Sequence, residues 1–338
     1  MDDSAGTHTM PDAGWSTGTV RAAGGSRRFS LWVPANLEAS RPSPLLMLLH
    51  GCTHDAKDMA EISGMNAIAD ANGFLVVYPE QSRLANLMNC WNWFDPRHQT
   101  REAGEPSILA AVVDQVRATH PVDPDRIFVV GISAGGAMAS ILAATHPDIF
   151  VGLAIFAGAE FKAATSISEG FGAMKRGGPD PLQQGQLAFE AMRSGLAQKK
   201  RQRMPVIVFH GAADIHVDPV NADQAIAQWG RTNECLAAEY GDVSFAITEN
   251  VDDSATGRRA FKKHVYREAD ARLLMEKWLV QGLGHAWSGS PERSKYGEPD
   301  GPNASAEIWR FFCAATSTAR SSSQLSDSSF TKSRETTK

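Results

Sequence analysis

Gly131-Ile132-Ser133-Ala134-Gly135 sets one hydroxyl between two glycines, directly after the apolar run Ile127–Val130. That spacing suits a serine on a sharp strand-to-helix turn, where larger flanking side chains would collide with the turn. A serine hydroxyl is a weak nucleophile near neutral pH. Attack on an acyl carbonyl therefore needs a base to take its proton and a carboxylate to orient that base. Two later segments, His210-Gly-Ala-Ala-Asp214 and Gly282-Leu-Gly-His285, supply an acid and then an imidazole, each after another apolar run. Ser133, Asp214 and His285 thus fall in the chain order expected for nucleophile, acid and base on a strand-turn-helix scaffold.

Competing residues carry simpler readings. Asp218 precedes Pro219, a setting that suits a helix cap. His216 stands too close to Asp214 in sequence to be its easy partner, and His210 reads as the end of a strand. His54, His98, His120, His146 and His264 lie in loop or surface contexts. Acyl transfer also needs donors aimed at the oxyanion. The expected donors are the backbone N–H of Ala134, at a helix N-terminus that favours negative charge, and that of Cys52 in His50-Gly51-Cys52. An ordinary glycine turn is the alternative for the latter. Trp91 and Trp93, in Cys90-Trp-Asn-Trp-Phe94, and Trp287 beside His285 either line a substrate pocket or anchor loops in the core. No zinc-ligand spacing, phosphate-cradling loop or dinucleotide fingerprint is present in the sequence, so neither metal nor cofactor is expected.

The elements that must hold these residues alternate. Strands are expected at Arg28–Val33, Leu45–Leu49, Phe74–Tyr78, Ile127–Val130, Leu153–Phe156, Val206–Phe209 and Leu273–Val280. Helices are expected over about 55–71, 106–119, 134–144, 219–229 and 304–315, with Asn72-Gly73 stopping the first. Such alternation implies a mostly parallel central sheet flanked by helices, an α/β class fold. Residues 158–203, broken by Gly and Pro, read as a lid-like insertion, and 241–266 as a polar hairpin. Residues 1–25 read as a flexible N-terminal segment, 26–315 as one catalytic domain, and 316–338 as a disordered polar tail.

A composition of 43% hydrophobic and 21% charged residues is that of a globular chain with an ample core. A net charge of -5 lacks the basic excess that binding nucleic acid demands, so an organic substrate is the better partner. No run is long enough for a membrane span, and the first residues carry no signal-peptide pattern. The four cysteines, Cys52, Cys90, Cys235 and Cys313, allow three pairings or none.

Several strings together are similar to the polyhydroxybutyrate depolymerase family of esterases, which includes feruloyl-esterase-like members. They are Leu49-His-Gly-Cys-Thr53, Asn89-Cys-Trp-Asn-Trp-Phe94, Gly104-Glu-Pro106, Gly131-Ile-Ser-Ala-Gly-Gly-Ala-Met138, His210-Gly-Ala-Ala-Asp214, Gly282-Leu-Gly-His-Ala-Trp-Ser-Gly289 and Gly301-Pro302. The resemblance, over about 26–312, implies an α/β-hydrolase fold and an ester hydrolase with Ser133, Asp214 and His285 as its triad. It further implies a Cys52–Cys90 disulfide holding the aromatic loop beside the oxyanion loop, and an extracellular life, with a cytoplasmic one as the alternative. Ser290 stands where the family pattern has a second glycine. The visible chain lacks the linker and substrate-binding domain that polymer-degrading relatives often carry. The expected substrate is a polyhydroxybutyrate-type polyester or its oligomers. The alternatives are short-chain, feruloyl or acetyl esters and, from another class, a catalytically silent binding protein on the same scaffold.

Overall fold

The computed structural model describes residues 13–38, 41–196, 203–242, 247–254 and 259–328. Strands β1 (Gly14–Ala22), β2 (Gly25–Val33), β3 (Ser43–Leu49), β4 (Leu75–Pro79), β5 (Val122–Ile132), β6 (Gly152–Phe156), β7 (Val206–Gly211), β8 (Ile247–Ser254), β9 (Phe261–Glu268) and β10 (Leu273–Val280) form one sheet. Its order is β1-β2-β4-β3-β5-β6-β7-β10-β9-β8. The six strands from β4 to β10 run parallel, and an antiparallel pair closes each edge.

β3 makes plain why the centre is a continuous apolar run. Leu45, Met47 and Leu49 point into one core, Leu46 and Leu48 into the other, so a strand covered on both faces has no polar side. Helices α3 (Gly104–Thr119), α4 (Ala134–Thr145), α6 (Pro181–Leu196) and α7 (Val220–Glu239) contribute to the first core. The second is covered by α1 (Ala56–Ser63), α2 (Met65–Asn72) and α8 (Ala304–Ser328). The helix expected over 55–71 is two helices. Gly64, at φ +60, ends α1, and a side chain there would press on Pro291 at 2.7 Å. The stop at Gly73 holds, with φ +69 and its N–H bonded to Ala69 O.

The insertion contains α5 (Ile167–Arg176) and α6; α6 buries Ala188, Phe189 and Met192 in the helical layer, whereas Gly170 of α5 abuts Phe94. The expected hairpin is β8 and β9. The termini differ from expectation. β1 occupies Gly14–Ala22 of the segment read as flexible, pairing with β2 in full register, and Trp15 packs edge-on to Trp32. Only Val20 of β1 is buried, so the strand offers little of the hydrophobic pattern by which strands are read. α8 continues to Ser328, inside the segment read as a disordered tail, because no Gly or Pro follows Pro302 to stop it. Residues 1–12 and 329–338 lie outside the described residues.

Candidate active site

β5 delivers Ser133 to the C-terminal edge of the sheet at φ +57, ψ −122, a conformation L residues rarely adopt. The turn is too tight for side chains on either flank. A Cβ on Gly131 would lie 2.2 Å from Gly135 O, and one on Gly135 would lie 2.4 Å from Leu49 O. The Ser133 N–H donates to Phe156 O at 2.8 Å, tying the elbow to the neighbouring strand β6. α4 begins at the next residue, so its N-terminal amides face the space around the hydroxyl.

The acid loop leaves β7 and the histidine loop leaves β10, its parallel neighbour. They touch through Gly211, where a Cβ would meet Leu283 O at 2.2 Å and Gly284 O at 2.4 Å, and through the Ala213 N–H bond to Leu283 O. This contact brings His285 Nδ1 to 2.7 Å from Asp214 Oδ2. The other oxygen, Oδ1, accepts the backbone N–H groups of His216 and Val217 at 2.8 and 2.9 Å. Burial works against the Asp214 charge, but the His285 bond and these amides outweigh it and hold the carboxyl below its ordinary range. With the carboxylate fixed as acceptor, Nδ1 of His285 carries the proton and Nε2 of the neutral ring is left able to accept one. No hydrogen bond joins Ser133 Oγ to His285 among the described residues; such contacts often tighten only when substrate arrives.

The competing residues take the simpler roles. Asp218 Oδ1 accepts the Val220 N–H at the start of α7, as a cap does. His210 is fully buried, with Nε2 bonded to Val217 O. His216 has its ring 5.5 Å from that of His285.

Opposite the elbow, the loop considered for oxyanion binding follows β3. Neither the Cys52 nor the Ala134 N–H has an acceptor among the described residues, the state required of a donor reserved for substrate. A disulfide joins Cys52 to Cys90, and the Thr53 N–H donates to Met88 O at 2.7 Å, so the loop over 80–94 braces this turn. The support runs deeper than sequence reasoning reached. His50 Nε2 accepts the Gln81 N–H, so its Nδ1 carries the proton and donates to Gly51 O. Burial pushes the His50 imidazole down to about 4, which keeps this tautomer neutral. Buried Glu105 accepts bonds from the Gln81 and Asn92 side chains and from the Asn92 N–H, and pairs with Arg27. Glu105 entered the sequence reading only through the string Gly104-Glu-Pro106, with no role attached to its carboxylate.

The three tryptophans considered for the pocket are buried. Trp91 donates to His50 O; Trp287 stacks on Phe156 with ring centres 4.7 Å apart and donates to Ser305 Oγ; Trp93 is 6% exposed. Side chains that water barely reaches touch no substrate unless the structure moves, so they fit the anchoring alternative. Cys235 and Cys313 are unpaired. Among the described residues, no cluster of side chains has the arrangement of a metal site.

A parallel sheet with a serine elbow, followed by acid and histidine loops on successive neighbouring strands, defines the α/β-hydrolase class. Within it, the chain belongs to the family described as esterase PHB depolymerase, which it matches over residues 28–252. It is 35% identical to poly(3-hydroxyalkanoate) depolymerase C of Paucimonas lemoignei over 75% of this chain and 56% of that protein. To feruloyl esterase B of Neurospora crassa it is 31% identical over 76% of this chain and 82% of the relative. An acetylxylan esterase of Coprinopsis cinerea is 28% identical over 78% and 65%. The chain thus spans less than two thirds of the depolymerase and of the acetylxylan esterase. Among solved structures, an acetyl xylan esterase from Aspergillus awamori superposes with a TM-score of 0.62 at 19% identity, covering 80% of this chain and 94% of that one. That likeness concerns the fold.

Proposed function

We propose that this chain is a serine esterase in which Ser133, His285 and Asp214 form the catalytic triad. His285 Nε2 takes the Ser133 proton as Oγ attacks the ester carbonyl, and Asp214 steadies the imidazolium that forms. The Cys52 and Ala134 amides receive the oxyanion. His285 then protonates the leaving alcohol, and water, activated by the same imidazole, releases the acid from the acyl-serine. The observation that carries this reading is the 2.7 Å His285–Asp214 bond set beside a serine held at φ +57.

The substrate we favour is a polyester of the hydroxybutyrate type or its oligomers. The 35% identity to a poly(3-hydroxyalkanoate) depolymerase supports this. So does the exposure of Leu84, Leu87 and Met88 on the loop that braces the oxyanion turn, and of Phe171 and Ile215 near the acid loop. Exposed apolar side chains around a catalytic mouth suit contact with a water-insoluble substrate. The Cys52–Cys90 disulfide favours an oxidising, extracellular setting. No helix among the described residues is long and apolar enough to cross a membrane.

The test is hydrolysis of short p-nitrophenyl esters, methyl ferulate and amorphous polyhydroxybutyrate, with Ser133→Ala as control. Clearing of the polymer supports the polyester reading, and activity confined to small esters replaces it with the feruloyl or acetyl one. Ser133→Ala is expected to fold normally and lose on the order of 10⁴–10⁶-fold in kcat.

A further inference from the structure

Glu105 lies in the first turn of α3, and its side chain has no exposed surface. Gly104 before it stands at φ +66, and a Cβ there would meet Arg97 O at 2.3 Å, so the turn that aims Glu105 inward needs glycine. Four donors converge on the carboxylate. Oε1 accepts Gln81 Nε2 at 2.5 Å, Asn92 Nδ2 at 2.7 Å and Arg27 Nη2 at 3.3 Å, and Oε2 accepts the Asn92 backbone N–H at 2.8 Å. An ionised carboxylate accepts about four hydrogen bonds and donates none, whereas an amide of the same shape would turn an N–H toward another donor.

Gln81 and Asn92 are the two feet of the loop over 80–94, and both feet reach the turn that carries the Cys52 N–H. Gln81 donates its backbone N–H to His50 Nε2 at 3.0 Å and its side-chain amide to Cys90 O at 2.9 Å. Cys90 is bonded to Cys52, and Trp91, between Cys90 and Asn92, donates to His50 O at 3.1 Å. His50 and Cys52 flank Gly51, so one carboxylate fixes both sides of that turn. A buried ion pair adds little net stability, because desolvation offsets most of what its partners return. What this carboxylate supplies is direction.

We propose that Glu105 is a positioning residue for ester hydrolysis, its carboxylate tying Gln81 to Asn92 so that the Cys52 N–H stays aimed at the oxyanion. The inference rests on the esterase reading above. With no exposed surface, Glu105 touches no substrate. Its loss therefore acts where the oxyanion forms, in the transition state, and leaves ground-state binding unchanged.

The test measures kcat and KM for p-nitrophenyl butyrate, together with Ki for a butyl trifluoromethyl ketone, whose tetrahedral adduct on Ser133 places an oxyanion in the same position. Titration of active sites with a fluorophosphonate corrects kcat for any inactive fraction. Glu105→Gln is expected to lower kcat on the order of 10- to 100-fold, the effect of a misplaced rather than a deleted donor. KM stays within about 3-fold, and Ki rises by the factor by which kcat falls. Glu105→Gln also strips Arg27 of its partner. Should it fail to fold, Gln81→Met keeps the Arg27–Glu105 pair and the side-chain shape, and its kcat is expected to fall about 3- to 10-fold, the effect of one net hydrogen bond, with KM again held. An unchanged kcat per active site, a fall in kcat without the matching rise in Ki, or a loss carried by KM overturns the inference and leaves the esterase reading intact. A wild-type chain that neither hydrolyses the ester nor reacts with the fluorophosphonate overturns both.

Discussion

Glu160 follows β6 and is 2% exposed, and both of its carboxyl oxygens are buried without a hydrogen-bond partner among the described residues. Burial, helped by the charge of Asp180, pushes its pKa from 4.5 up to about 8. Between those values the native chain holds the proton and the unfolded chain does not. Stability therefore falls as pH rises through this window, because the unfolded state binds fewer protons. The full shift corresponds to about 5 kcal/mol above pH 8, and to about 3 kcal/mol at pH 7, at roughly 1.4 kcal/mol per pH unit. Glu160→Gln replaces the protonated acid with a neutral group of the same shape and removes this dependence. The stability difference, variant minus wild type, is expected to be small at pH 4.5 and to grow steadily to pH 8. Urea unfolding midpoints and m-values at pH 4.5, 6, 7 and 9 give that difference directly, and contributions common to both chains cancel. A difference that is flat with pH, or that favours the wild type at pH 9, refutes the reasoning.

Two further outcomes follow from the braces around the site. Replacing both cysteines of the Cys52–Cys90 bridge with serine opens a link spanning 38 residues of sequence and should cost about 4 kcal/mol by the chain-entropy relation. A urea-unfolding loss under about 1 kcal/mol would contradict it. Gly135→Ala drives a methyl group against Leu49 O and His50 O, backbone atoms at the root of the oxyanion loop. Overpacking of this kind costs on the order of 1–3 kcal/mol, and here it also displaces the donors. A fall of at least about 100-fold in kcat/KM for p-nitrophenyl butyrate is expected, and near-normal activity in a folded variant would mean that the elbow is looser than described.

The geometry of the proposed site was legible because each part has a local signature: a glycine-flanked serine between strand and helix, and an acid and a histidine after later strands. The parallel centre was legible for the same reason, since strands covered on both faces leave continuous apolar runs such as Leu45–Leu49. What escaped depends on contacts distant in sequence. β1 is held by backbone pairing to β2 and by Trp15 against Trp32, with only Val20 buried. Glu105 gains its meaning from Arg27, Gln81 and Asn92. The tryptophans were ambiguous because an aromatic loop has the same composition whether its rings meet substrate or core.

The most direct test of the catalytic assignment is covalent labelling of the native chain with a fluorophosphonate, followed by peptide mass spectrometry. The account predicts a single adduct on Ser133, formed more slowly in His285→Ala and absent in Ser133→Ala. An adduct on another residue, or labelling that persists in Ser133→Ala, would contradict it.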